Sequence, residues 1–130
     1  MTLVIDASAA FVAVTDGSDQ GVAVRELMKG EFLCAPSVFA FEVASVIRRH
    51  ELHGLISPAA AEEAHRVLGL LRITEVRYAV LADRVWELRH NLTAFDAAYV
   101  ALAEMTDGVL VTLDQRLSEA PGPRCRFFVF

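Results

Sequence analysis

Leu3-Val4-Ile5-Asp6-Ala7-Ser8 opens on three apolar residues and stops at a carboxylate. A run this short and this apolar reads as a strand buried on both faces, the kind found in parallel sheets. The pattern returns at Val109-Leu110-Val111-Thr112-Leu113-Asp114, again ending in an aspartate. A charge placed directly after a buried strand is costly to desolvate unless something pairs with it. What lies between the two stretches therefore decides both the fold and the use of the acids.

Residues 8–14 and about 20–29 have helical apolar spacing, separated by the turn signals Asp16-Gly17-Ser18-Asp19 and closed by Gly30. Residues 32–35 read as a second strand. Pro36 and Ser37 are helix-start signals for a long helix to about His53, closed by Gly54, and Ser57-Pro58 restarts helix as N-cap and first-turn proline. Residues 72–76 are a candidate third strand, 78–90 and 94–106 are helical, and 126–130 make a fifth strand. Short apolar strands alternating with helices predict an α/β fold, a mostly parallel sheet of about five strands covered on both faces. No linker, repeat or low-complexity segment divides residues 1–130, so one domain is expected. In such sheets ligands sit beyond the C-terminal ends of the strands, at a topological switch point. Asp6 and Asp114 both fall on that edge.

Composition narrows the classes. A chain of 130 residues that is 55 % hydrophobic folds without help from disulfides. Cys34 and Cys125 lack metal-ligand spacing and read as reduced thiols. The apolar N-terminal run has no basic lead and is interrupted by Asp6, and no stretch reaches membrane-span length, so a cytoplasmic protein with no membrane association is expected. The formal charge of -5 is unfavourable for a polyanion binder. Acids gathered at a metal site would account for part of it, because bound cations offset them locally. Eleven of the twelve basic residues are arginine.

Two further acids join the strand-end pair. Glu42 sits among apolar residues between Ser37 and Ile47, with no Lys or Arg before Arg48, so it needs either an interhelical ion pair or a metal. Asp96 follows Thr93 at capping-box spacing, and capping alone would explain it; capping and ligation are compatible. Asp6 or Ser8 could likewise cap the helix starting near Ala9, and Asp114 could cap a turn through Leu117. Thr112 could donate a hydrogen bond to a neighbouring carboxylate. Taken jointly, four carboxylates converge only if something binds them, since like charges repel. Hard oxygen donors without a His or Cys cluster suit Mg2+ or Mn2+, and such ions support phosphodiester hydrolysis.

These pieces, in this order across the whole chain, resemble the PIN-domain ribonucleases, specifically the VapC toxins of bacterial toxin–antitoxin pairs. The matching segments are Val4-Ile5-Asp6-Ala7-Ser8-Ala9, Glu42 within residues 37–47, residues 92–103 centred on Asp96, and Val111-Thr112-Leu113-Asp114. The resemblance implies a three-layer α/β/α sandwich in which Asp6, Glu42, Asp96 and Asp114 form one catalytic, metal-holding pocket supported by Ser8 and Thr112. It further implies RNA as substrate, a homodimer, and a cognate VapB-type antitoxin through which DNA is met only indirectly.

For gripping RNA, Arg48 and Arg49, with His50, form the densest basic cluster, although basic charge at a helix C-terminus is favourable in itself. Arg84, Arg89 and His90 read as solvated, Trp86 and Tyr99 as core or dimer contacts, and His53 and His65 as unconnected with a metal. Two other readings compete. A phosphotransferase of the haloacid-dehalogenase or receiver type wants Asp-x-Asp after the first strand or a late Lys; this chain has Ser8 there, and its one Lys is Lys29. A catalytically weak binding module acting by sequestration is the other.

Overall fold

The computed structural model describes residues 1–15 and 17–130; Asp16, one of the turn signals, lies outside them. Five strands form one wholly parallel sheet: β1 (Thr2–Ile5), β2 (Phe32–Pro36), β3 (Thr74–Val76), β4 (Val109–Thr112) and β5 (Arg126–Val129). Among the described residues seven helices connect them: α1 (Ala7–Val14), α2 (Asp19–Met28), α3 (Phe39–Leu52), α4 (Pro58–Leu68), α5 (Tyr78–Glu87), α6 (Ala94–Met105) and α7 (Gln115–Glu119).

The spatial order is β3-β2-β1-β4-β5. From β1 the chain steps outward through β2 to β3, then crosses back to the other side of β1 for β4 and β5. Right-handed crossovers place the helices of the outward steps on one face and those of the return on the other, which makes the α/β/α layers. The direction reverses between β1 and β4, whose register pairs Ile5 with Val111. Asp6 and Asp114 follow those two strands, so the switch point lies between the first and last of the four candidate acids.

Burial follows from this order. Leu3, Val4, Ile5, Leu110 and Val111 on the two central strands are almost completely buried. Helix α6 crosses β1, β2 and β4 and is covered outside by α5. Its residues Ala97 through Ala103 are all buried, as expected of a helix apolar on every side. Small alanines let it lie close to the sheet. Cys34 is buried and Cys125 partly so, and both are free thiols. Among the described residues no helix is long and apolar enough to cross a membrane.

Three local expectations shift. Pro36 ends β2 instead of starting a helix, because Ser37 continues the pairing by donating its N–H to the Val76 carbonyl at 2.9 Å. A proline at a strand terminus gives up no ladder bond that the next residue cannot supply. Helix α3 then begins at Phe39 without a side-chain cap. The third strand shrinks from 72–76 to Thr74–Val76, as suits a strand at the sheet edge. The turn expected after Asp114 closes into the short helix α7. Gly30 and Gly54, at φ +74° and +70°, end their helices as read from the sequence.

Candidate active site

Asp6 leaves β1 in an extended conformation and caps α1. Its Oδ1 accepts from the Ala9 N–H at 3.0 Å and the Ser8 hydroxyl at 2.6 Å, while its own N–H donates to the Val111 carbonyl at 3.1 Å. Capping uses Oδ1 alone, so it is compatible with a second role for the carboxylate. Only 8 % of the residue is exposed. Burial raises its pKa, and the hydroxyls of Ser8 and Thr112 with the N–H groups of Ala9 and Ser8 offset part of that rise.

Ser8 and Thr112 tie the two strand ends together. The Ser8 hydroxyl accepts from the Leu113 N–H at 3.0 Å and lies 3.5 Å from the Thr112 hydroxyl. Thr112, fully buried, accepts from the Asp114 N–H at 2.9 Å. Asp114 then caps α7, its Oδ1 accepting from the N–H groups of Arg116 at 3.0 Å and Leu117 at 3.4 Å. Every strand-end carboxylate therefore has its backbone held from two directions.

The two helical acids approach from opposite layers. Glu42 lies in the first turn of α3 and Asp96 in the first turn of α6. Half of the capping box forms: the Asp96 N–H donates to Thr93 Oγ1 at 3.2 Å. Glu42 makes no ion pair among the described residues. Its Oε1 instead accepts from the hydroxyl of Tyr99 at 2.7 Å. Burial first, and then the charges of Asp96 and Asp6, raise the Glu42 pKa against the opposing pull of Tyr99. Burial and then the charge of Asp114 likewise raise Asp96, with Thr93 opposing. Those mutual repulsions link all four acids into one electrostatic neighbourhood.

From the sequence Tyr99 reads as a core or dimer contact, with no task at the site. It is indeed buried, yet its hydroxyl holds Glu42, and burial together with that bond pushes its own pKa far up. Tyr99 stands three residues after Asp96, one helical turn along the same face, which places it near the acids, although nothing local marks Glu42 as its partner.

The basic candidates divide. Arg48 and Arg49 are both exposed, and Arg49 lines a groove with Glu42. His50 is committed elsewhere, its Nδ1 at 2.9 Å from the Val46 carbonyl and its ring 4.2 Å from that of Phe11. Arg84 is not solvated as expected: it reaches Glu104 at 2.7 Å and the Gly122 carbonyl at 2.9 Å. Trp86 is not core but 64 % exposed, with the Arg89 guanidinium 4.7 Å from its ring centre.

A divalent ion fits the donor set by chemistry: four hard carboxylates, with no cationic partner for Asp6, Glu42 or Asp96 among the described residues. No three His, Cys, Asp or Glu side chains among the described residues stand close enough together to form a ready-made cage.

Comparison with known proteins agrees with the geometry. The PIN domain family matches residues 3–123. A VapC ribonuclease of Mycobacterium bovis is 37 % identical over 123 residues, which cover 95 % of this chain and 94 % of that one. Two solved structures share the fold at lower identity. VapBC2 from Rickettsia felis, bound to a DNA fragment from their promoter, aligns over 100 % of this chain and 99 % of its own with TM-score 0.70 and 15 % identity. VapC20 of Mycobacterium tuberculosis, a sarcin–ricin loop cleaving toxin, aligns over 90 % and 93 % with TM-score 0.66 and 16 % identity. With a family match across nearly its whole length and four acids around the switch point of its sheet, the chain belongs to the PIN-domain family, among the VapC ribonucleases.

Proposed function

We propose that this protein is a metal-dependent endoribonuclease, the toxin of a toxin–antitoxin pair, and that residues 1–130 act as a single nuclease domain. The observation that carries the metal and the site is that four carboxylates share one sheet edge and three of them, Asp6, Glu42 and Asp96, have no cationic partner among the described residues. Asp6, Glu42, Asp96 and Asp114 would hold Mg2+ or Mn2+. Bound there, a hard divalent cation stabilises the charge that develops at phosphorus and makes water a better nucleophile.

The chain's own part is to orient the carboxylates and hold them near one another. Caps at α1, α6 and α7 fix the backbones that carry Asp6, Asp96 and Asp114. The Tyr99 hydroxyl orients Glu42, and Ser8 and Thr112 keep the ends of β1 and β4 in register. Partners that order metal ligands in this way are worth roughly 10- to 100-fold in activity or metal affinity.

The substrate is an RNA, with structured RNA such as tRNA or rRNA favoured by the sarcin–ricin specificity of one structural neighbour. A VapB-type antitoxin is the expected partner, since another neighbour is a VapBC assembly on promoter DNA, and this protein would meet DNA only through that partner. A homodimer in the cytoplasm completes the reading. The test is incubation of the purified protein with a panel of hairpin RNAs in Mg2+, Mn2+ or EDTA. Cleavage in either metal, abolished by EDTA and by Asp6→Ala, is expected. Metal-independent cutting sinks the mechanism, and failure to cut any RNA favours a catalytically weak binding module.

A further inference from the structure

Two phenylalanines stand in solvent directly beside the acids. Phe41 is 77 % exposed and precedes Glu42; Phe95 is 54 % exposed and precedes Asp96. They come from helices in opposite layers, and both line one groove of about 330 Å³ together with Val38, Glu42, Ser45 and Arg49. Val38 and Phe95 also wall a smaller apolar cavity of about 130 Å³ with Pro36, Tyr78 and Leu81, so Phe95 borders two neighbouring hollows.

The groove is chemically graded. Arg49 lies seven residues after Glu42, two turns along the same helical face, and is exposed with no ion pair among the described residues. One end therefore offers a guanidinium, the wall a carboxylate, and the flanks two aromatic faces. Aromatic rings beside a cation are how proteins hold unpaired bases, because every base has a face to stack and every nucleotide a phosphate to pair.

We propose that this groove is a nucleobase subsite: an unpaired nucleotide of the RNA stacks on Phe41 and Phe95 with its phosphate toward Arg49, setting the neighbouring phosphodiester among the carboxylates. This rests on the nuclease reading of the four acids. A base held inside a duplex cannot offer its face, so the subsite selects loops and single-stranded ends. Stacking also supplies affinity that does not depend on net positive charge, which this chain, at -5, does not have.

The test uses the full chain carrying Asp96→Asn, so that RNA survives, in Mg2+. A fluorescein-labelled eight-nucleotide single strand, alone or annealed to its complement, is titrated by fluorescence anisotropy. The single strand should bind more tightly than the duplex. Phe41→Ala and Phe95→Ala should each weaken its binding roughly tenfold. Phe41→Tyr and Phe95→Tyr should retain it, whereas the equally apolar Phe41→Leu and Phe95→Leu should not. Equal binding of the duplex, or leucine variants that bind like the parent, overturns the proposal. So does a change in oligomeric mass on light scattering with RNA affinity unaltered, which assigns the rings to a second copy of the chain. Cleavage by the chain without Asp96→Asn separates the two readings. No cutting alongside intact stacking removes the nuclease and leaves the subsite; cutting that ignores both rings removes only the subsite.

Discussion

Helix α6 carries an acid near each end, and the two ends treat them in opposite ways. Asp96, in the first turn, has no cation beside it among the described residues, and burial followed by the charge of Asp114 raises its pKa. Glu104, near the last turn, is also burdened by burial. There the Arg84 guanidinium at 2.7 and 3.2 Å and the Arg124 N–H at 2.8 Å outweigh the burden and hold the carboxyl below its ordinary value. Arg84 is closed off in turn by Glu87 at 3.1 Å and the Gly122 carbonyl. The chain can evidently compensate a part-buried carboxylate where the carboxylate only holds elements together. Leaving Asp6, Glu42 and Asp96 uncompensated at the other pole costs stability, which a folded chain sustains where the acids are used.

Neutral isosteres break this contrast most sharply. Asp96→Asn should lower RNA cleavage by more than about 100-fold, beyond what loss of a supporting partner costs. In EDTA its melting temperature should match or exceed that of the parent, because the ionised acid is disfavoured in the fold. Glu104→Gln should do the reverse. Cleavage persists, while urea denaturation shows a loss of about 2 kcal/mol as the part-buried Arg84 loses its two-bonded ionic partner and keeps only the exposed Glu87 as counter-charge. If both variants lose stability alike, the two poles do not differ as argued.

Tyr99→Phe comes next. Removing one hydroxyl leaves the packing of α6 untouched and frees Glu42, so cleavage should fall roughly 10- to 100-fold. Metal titration sharpens the result: the variant should need more Mn2+ for half-maximal rate. A variant with normal rate and normal metal dependence would return Tyr99 to the core.

Much of this arrangement could be read from the residues. The runs at 3–5 and 109–112 announced buried strands because their apolar residues are continuous, and acids directly after them had nowhere to go but the sheet edge. Gly30 and Gly54 marked helix ends through the positive φ they adopt. What escaped reading depends on partners distant in the chain. Tyr99 and Glu42 are 57 residues apart, and Arg84 and Glu104 are 20 apart, so neither bond leaves a local pattern. The position of Pro36 was decided by an edge strand whose carbonyl at Val76 takes the Ser37 N–H. Exposure of Trp86 was hidden too, since α5 turns Leu81 and Val85 inward and spacing alone does not say which face of an outer helix is covered.

Solution pH probes the same contrast with a smaller effect. Asp6, Glu42 and Asp96 have folded pKa values above their ordinary values of 3.8, 4.5 and 3.8. For such acids the stability they permit is fully present below the ordinary pKa and is lost as pH rises through the raised one. Glu104, held low, contributes above its ordinary 4.5 and loses that contribution as pH falls through the depressed value. Metal-free protein should therefore lose stability from the three site acids as pH climbs out of the carboxylate range, and Mg2+ should restore it near neutrality but not at pH below those values. Asp96→Asn should flatten that loss, and Glu104→Gln should remove the separate loss on the acid side. A metal-free melting profile unchanged by Asp96→Asn would count against an uncompensated cluster.

The smallest effect belongs to a third acid. Arg66 grips Glu63 through two bonds of 2.9 and 2.7 Å, a geometry as good as that of Arg84 on Glu104, and holds its carboxyl below the ordinary value. Both partners, however, are exposed on α4 at i,i+3 spacing. In solvent the gain is screened and is spent on ordering two flexible side chains. Glu63→Gln should leave the melting temperature unchanged within measurement error at physiological salt, against the clear loss for Glu104→Gln. Equal losses would mean that hydrogen-bond geometry, and not burial beside the bond, sets what a carboxylate contributes in this fold. The contrast between the ends of α6 would then need a different cause.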